Sequence, residues 1–318
     1  MKRNLFLVIF CYLAVYIIWG STYLFIAYSV ETIPAAWVMA VRFLLSGIVF
    51  TLLPVVLGKI KKFPSIKEIL SSVFLGIFLI LLSNGVITWA EKTVDSYLAA
   101  LIVSTTPLTV ALFNRVIHKT KLSFVQIIGI LTGFAGVTLL LYNGKGISGS
   151  LSAGVILVIF AAFCWGFGTS FATKLTFHEN VFMMSGIEMI FGGFVALIVA
   201  LFTEGNPVPV FMNASPISLL SVLYLTIVGG SGVAAYSYLL RNEPSQRITT
   251  HALVNPVIAT ILGLLIRKET KNPYLFIGLP LILTGLFVML YLPSRKKKYP
   301  AAVAAPAAGK PFGDTDKN

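Results

Sequence analysis

Three ionisable side chains stand deep inside apolar runs of this sequence: Arg42 in "VMAVRFLLSG", Glu188 in "SGIEMIFGG" and His251 in "ITTHALVNP". A charge at the centre of a membrane helix costs roughly 2.5–3.5 kcal/mol on insertion scales, so each needs a partner or a function. Arg42 and Glu188 have opposite signs. They can neutralise each other or local backbone, or each can reach a water-filled cavity. Glu188 is the carboxylate best placed for proton coupling. His251 can shuttle protons, because imidazole titrates near pH 6.5, or it can make an interhelical hydrogen bond. Reaction chemistry is otherwise missing. No nucleophile–base pair, HExxH or GxxxxGK[ST] motif occurs, and His118, His178 and His251 lack ligand-like spacing. Cys11 and Cys164 both lie inside apolar runs, which offers neither a disulfide framework nor a cysteine metal site. The sequence therefore implies no enzyme, no metal and no cofactor.

What remains is chemistry of recognition. "YIIWGSTYLF" places Trp19, Gly20, Ser21, Thr22 and Tyr23 in the middle of an oily run. A Trp at that depth needs a partner for its N–H, and a Gly beside it lets another helix or a ligand come close. Trp19 reads either as a cavity wall or as a large residue packed against a small one. Asn84 and Trp89 in the third run, and Tyr236 and Tyr238 in the eighth, offer further polar edges. Pro107 and Pro256 fall in mid-run within "STTP" and "VNP", where each removes a backbone hydrogen bond. Such breaks are tolerated where the freed groups meet protein or a water-filled cavity. These prolines read as hinges, with Thr105, Thr106 and Asn255 as cavity-lining groups; a simple kink is the alternative.

These residues must be positioned by membrane helices. Of 318 residues, 57% are hydrophobic and only 11% are charged, against about 25% charged in soluble domains; mean hydropathy is +0.92. Runs long enough to span, roughly 20 residues each, occur ten times: about 5–28, 34–57, 69–90, 96–117, 123–142, 151–173, 180–203, 215–239, 246–266 and 274–292. The first lacks a small-x-small cleavage site and is too long for a removable signal. With the N-terminus in the cytoplasm, sixteen Lys and Arg residues fall on the inner side and five on the outer. That excess sets both termini inside. The net charge of +13 is thus scattered over short loops, which disfavours nucleic acid as a partner. Only "RKKK" at 295–298 is a cluster, and it is suited to anionic headgroups. Residues 299–318 read as a disordered tail.

The sequence is also written twice. Trp19-Gly20 and Trp165-Gly166 are 146 positions apart, and the same shift lays Arg42 on Glu188. Trp89 with Tyr238, Pro107 with Pro256, Gly129 with Gly278 and Gly136 with Gly285 match at a shift of 149. The expected fold is all-α and integral to the membrane, with repeats at 1–142 and 151–292 followed by a basic end and tail at 293–318. A repeat of five spans enters the membrane from the opposite side the second time. This relates the halves by an axis in the membrane plane, an architecture used by secondary transporters. Gly129, Gly133, Gly136, Gly278 and Gly285 permit close helix approach, within the fold or at a dimer seam.

The segments "YIIWGSTY" (16–23), "VRF" (41–43), "SNGVITWAE" (83–91), "GIEM" (186–189), "GSGVAAYSYLLRN" (230–242) and "ALVNPVIA" (252–259) resemble the drug/metabolite transporter superfamily, EamA type, and within it the YedA-like inner-membrane exporters. The resemblance runs from about 5 to 292. It implies a ten-helix carrier of the bacterial inner membrane, with a central cavity lined by spans 1, 3, 4, 6, 8 and 9. The family often ends its fourth and ninth spans with Gly-Glu; Glu269 keeps the second of these, whereas Thr120 replaces the first. That position is expected to be a structural loop contact. The expected function is secondary active export of small organic solutes such as amino acids or amphiphilic drugs, with protons as a coupling ion. Import or exchange of a metabolite, and a non-transporting scaffold or sensor, are the alternatives.

Overall fold

The computed structural model describes residues 5–120, 122–142, 152–269 and 272–291, and all regular structure among them is helical. The basic residues Lys2, Arg3, Lys121, Lys145, Lys271 and 295–298, and the tail 299–318, lie outside the described residues. Each apolar run is helical: α1 Leu5–Ser29, α2 Ala35–Val56, α3 Ile66–Ala90, α4 Ser96–His118, α5 Phe124–Leu140, α6 Ala153–Lys174, α7 Val181–Thr203, α8 Pro216–Asn242, α9 His251–Arg267 and α10 Leu275–Tyr291. Seven of these are long and apolar enough to cross a membrane; α5, α9 and α10 are shorter apolar helices. Short helices at Pro207–Met212 and Ser245–Ile248 lie in connections.

Local chemistry sets the boundaries. α3 starts earlier than its apolar run because Ser65 and Glu68 form a capping box that draws a polar turn into the helix. Ser123 and Gln126 form a second capping box, at the start of α5. Single side-chain caps from Ser152, Asn180 and Ser215 open α6, α7 and α8. The run near 246–266 is divided instead, into Ser245–Ile248 and a helix that begins at His251.

Several of the main helix contacts have a counterpart when the two halves are exchanged. α2 lies along α7 and α5 along α10, each helix beside its own equivalent; α1 packs on α9 as α6 packs on α4. Glycine makes these approaches close. A Cβ on Gly47 would sit 2.7 Å from Ile190 N, and one on Gly129 would sit 2.7 Å from Gly285 O. Gly136 and Gly278 extend the second seam, so the glycines of α5 and α10 serve a contact within this chain. The α1–α9 contact places Ile258 Cβ 2.8 Å from a Cβ built on Gly20, and in the α6–α4 contact Thr109 occupies the same place over Gly166. Ile258 and Thr109 are themselves 149 positions apart. Widened π-helical turns occur at Gly76–Gly85 in α3 and Leu225–Gly229 in α8, whose first residues are also 149 apart. Such turns recur at functional sites because they free backbone groups. Here the Asn84 amide takes one of them, donating to Leu79 O at 2.9 Å.

Candidate functional site

A cavity lies between the packed helices, lined by residues of both halves of the chain. α1 supplies Trp19, Thr22 and Tyr23; α3 supplies Asn84; α4 supplies Ser104 and Thr106; α6 supplies Trp165; α9 supplies His251, Asn255 and Pro256. α8 reaches it through Val233. α2 also takes part, through Arg42, although the family resemblance left span 2 out of the lining.

One wall is aromatic. Trp19 meets Trp165 edge to face at 5.1 Å, Tyr236 at 4.8 Å and His251 at 5.4 Å between ring centres. The cluster is fixed by hydrogen bonds: Trp165 Nε1 donates to the Tyr236 hydroxyl at 3.0 Å, which also pairs with Thr169 Oγ1 at 2.8 Å. Gly232 makes room for the indole, since a Cβ there would lie 2.6 Å from Trp19 Nε1. With its amide oriented to satisfy both ends, Asn255 donates to His251 O and Tyr16 O and accepts from His251 Nδ1 at 3.3 Å. His251 lines the cavity, and its Nε2 is buried without a hydrogen-bond partner.

The two prolines act differently. α4 breaks at Ser104–Thr105, and the carbonyl of Val103 that Pro107 leaves without an amide donor accepts from the Thr106 hydroxyl at 2.6 Å. Pro256 lies inside a continuous turn of α9 and its ring lines the cavity, whereas Pro107 is buried behind it. Several expected residues are elsewhere. Thr105 donates its hydroxyl to Ile102 O at 2.6 Å and does not line the cavity. Tyr236 stands behind the tryptophans, and Tyr238 packs at the edge of the hydrophobic cluster around them. Trp89 is 50% exposed on the outer surface of the bundle.

Arg42 and Glu188 do not pair. Glu188 Oε2 accepts from Ser237 Oγ at 3.1 Å in the contact between α7 and α8, so their equivalent sequence positions do not bring the two charges together. Arg42 instead turns to the cavity, its guanidinium 4.2 Å from the Phe43 ring centre, with Nε and Nη1 unpartnered. The acidic group that faces it is Glu91, just past the end of α3.

At one end of the helices that line the cavity stands a charged network. Glu269, following α9, accepts from the Ser96 and Tyr97 amides at 3.0 and 3.3 Å and so caps the start of α4. Arg267 lies 3.4 Å from Glu269 and 3.0 Å from Glu31, which follows α1. These bonds tie three cavity helices together at one end. Nearby, burial and the Glu269 charge raise the carboxyls of both Glu91 and Asp95 above the usual range, against the pull of Arg267. At the other end the position equivalent to Glu269 is Thr120, whose side chain has no carboxylate to offer. Sequence reading passed over Glu91 in favour of Trp89, two residues earlier; a carboxylate within two residues of the end of an apolar run was the available signal.

The model of the EamA-like transporter family matches residues 6–142 and 152–291. "Uncharacterized inner membrane transporter YedA" of Escherichia coli K12 is 35% identical over 298 residues, spanning 92% of this chain and 93% of that protein. "Uncharacterized transporter YoaV" of Bacillus subtilis is 24% identical over 290 residues, spanning 90% of this chain and 97% of that one. A solved crystal structure, 16% identical, has the same fold over 91% of this chain and 99% of its own, with a TM-score of 0.65. The protein is a membrane protein of the EamA-like transporter family.

Proposed function

We propose that this protein is a secondary active exporter of small amino-acid-like metabolites, working by alternating access in a bacterial inner membrane. The single observation that carries the reading is the composition of the cavity: a tryptophan pair and, from α2, the Arg42 guanidinium, whose Nε and Nη1 have no hydrogen-bond partner. Aromatic faces suit an apolar body, and a buried guanidinium recognises carboxylate with two parallel donors. A cationic drug would meet repulsion from Arg42, which favours amino acids over amphiphilic cations. Asn84, Thr106 and Asn255 supply the few neutral polar groups that orient a ligand in such sites. The inner-membrane location follows the name of the Escherichia coli relative.

Alternating access rests on the two halves, 1–142 and 151–292, being inverted copies with both termini in the cytoplasm. The exchange-related contacts of α1–α9 and α6–α4, and the matched glycines within them, support it. In that orientation the Glu269 end faces outward. Energy then comes from a gradient, and protons are the natural coupling ion given the buried ionisable groups around the cavity.

The test is counterflow in proteoliposomes over a panel of L-amino acids and cationic dyes. Saturable exchange of apolar amino acids, weakened at least about tenfold by Arg42→Gln (a loss on the order of 1.4 kcal/mol), supports the reading. Flux oriented only inward would make the protein an importer. Absence of saturable flux with every member would leave a scaffold or sensor whose aromatic cluster is packing alone.

A further inference from the structure

Glu91 is a buried charge that the cavity does not use. Its amide donates to Ile87 O at 2.9 Å, which sets it one turn past a cavity-lining residue. It is 3% exposed, and neither carboxylate oxygen accepts a hydrogen bond. An ionised carboxylate in such a place gathers donors, because burying it without them costs several kcal/mol. Glu269 is the contrast: its side chain is as deeply buried, yet it takes two backbone amides and an arginine. Among the described residues, Glu269 has three donors and Glu91 has none.

The groups that face Glu91 come from every neighbouring element. Glu269 repels its charge, while Arg267 and, across the cavity wall, Arg42 attract it. Tyr23 faces it from α1. On its own loop Lys92 is drawn away to Glu204 at 3.6 Å, and Asp95 faces Glu269 and Arg267. Only the protonated form needs neither a donor nor a counter-ion here.

We propose that Glu91 is a proton-binding site whose occupancy controls the closure made by Glu31, Arg267 and Glu269. With the proton on, Glu91 is neutral and Arg267 is left to bridge Glu31 and Glu269, holding α1, α4 and α9 together. When the proton leaves to cavity water, a second carboxylate stands beside Glu269 and draws on both Arg267 and Arg42. The bridge weakens and that end opens. A proton arriving from the water admitted there neutralises Glu91 and restores the closure. In each cycle one O–H bond forms on one side and breaks on the other, so the proton moves opposite to an exported solute. Coupling to solute rests on the transport reading above; the protonation of Glu91 does not.

The test uses the full chain in lipid nanodiscs and the infrared carbonyl stretch of protonated carboxyls, followed from mildly acid to alkaline pH. The expected result is a band present at neutral pH, lost on alkalinisation, absent from Glu91→Gln and retained in Glu188→Gln. A band missing from the unmodified protein at neutral pH, or one that belongs to Glu188 alone, overturns the proposal. Should Glu91→Gln fail to fold, Glu269→Gln serves instead: removing the neighbouring charge shifts loss of the band to lower pH, and an unmoved titration overturns the proposal. In proteoliposomes with L-phenylalanine as the probe, Glu91→Gln, whose neutral side chain keeps the closure shut, is expected to lose most counterflow together with its acceleration by a pH gradient. Unaltered acceleration in that variant overturns the coupling role. Absence of flux in the unmodified protein, with the band intact, overturns the transport reading and the coupling with it.

Discussion

The Trp19 and Trp165 rings meet edge to face with their centres 5.1 Å apart and their planes at 88°. This is the preferred geometry for aromatic pairs, worth about 0.5–1.5 kcal/mol beyond area burial. Each ring stands beside a glycine over which the opposite repeat's helix passes, Ile258 above Gly20 and Thr109 above Gly166. The Trp-Gly pair thus does two things at once: the small residue brings the helices together, and the large one fills the space where they meet.

The hydrogen bond from Trp165 Nε1 to the Tyr236 hydroxyl separates these roles. Trp165→Phe keeps an aromatic face and removes the donor; Tyr236 retains Thr169. The expected loss of stability is about 1 kcal/mol, the net worth of one hydrogen bond, read as a small drop in the thermal midpoint in detergent. Counterflow should fall much further than stability, because the cluster that shapes the cavity wall loosens. Equal, small effects on both would make Trp165 a packing residue only.

The seam between α5 and α10 is a test of packing without chemistry. A Cβ on Gly129 would lie 2.7 Å from Gly285 O and 2.8 Å from Met289 N, both backbone atoms that cannot turn aside. Gly129→Ala must therefore push the helices apart. Overpacking of this kind costs about 1–3 kcal/mol, measurable as a lowered thermal midpoint. Since the seam is remote from the cavity lining, folded Gly129→Ala protein should keep its solute affinity. A stable variant with altered affinity would show the seam to be a moving part.

Much of this was legible in the sequence because hydrophobic runs and a repeat are written locally. Trp19, Trp165, Asn84, Thr106 and Asn255 could be singled out as polar or aromatic groups at the wrong depth for lipid, and the cavity gathers them. What a helix run does not encode is its rotation about its own axis. Trp89 turns outward for that reason, and Tyr238 lies at the cluster's edge while Tyr236, two residues before it, is in the centre. Arg42 and Glu188 match in the repeat but face different neighbours, since equivalence under the repeat is not contact. Glu91 becomes visible only when loops distant in sequence converge and the donors around it are accounted for.

That accounting gives a pH dependence with a definite sign. Glu91 has its carboxyl raised well above its ordinary value, by burial first and by Glu269 second. A carboxyl that holds its proton more tightly folded than unfolded adds stability that is complete below the unfolded value, about 4.3. This stability is lost as pH rises toward the folded value, because the unfolded chain ionises first. The thermal midpoint of the unmodified protein should therefore decline from acid toward alkaline pH. Asp95, raised for the same reasons, contributes in the same direction, so the decisive quantity is the difference between the unmodified protein and Glu91→Gln. Gln reproduces the neutral carboxyl without its proton. The two midpoints should coincide at acid pH and diverge as pH rises, with the variant the more stable. Parallel curves would mean that Glu91 binds its proton no more tightly folded than unfolded, and the closure at the Glu269 end would then rest on Arg267 alone.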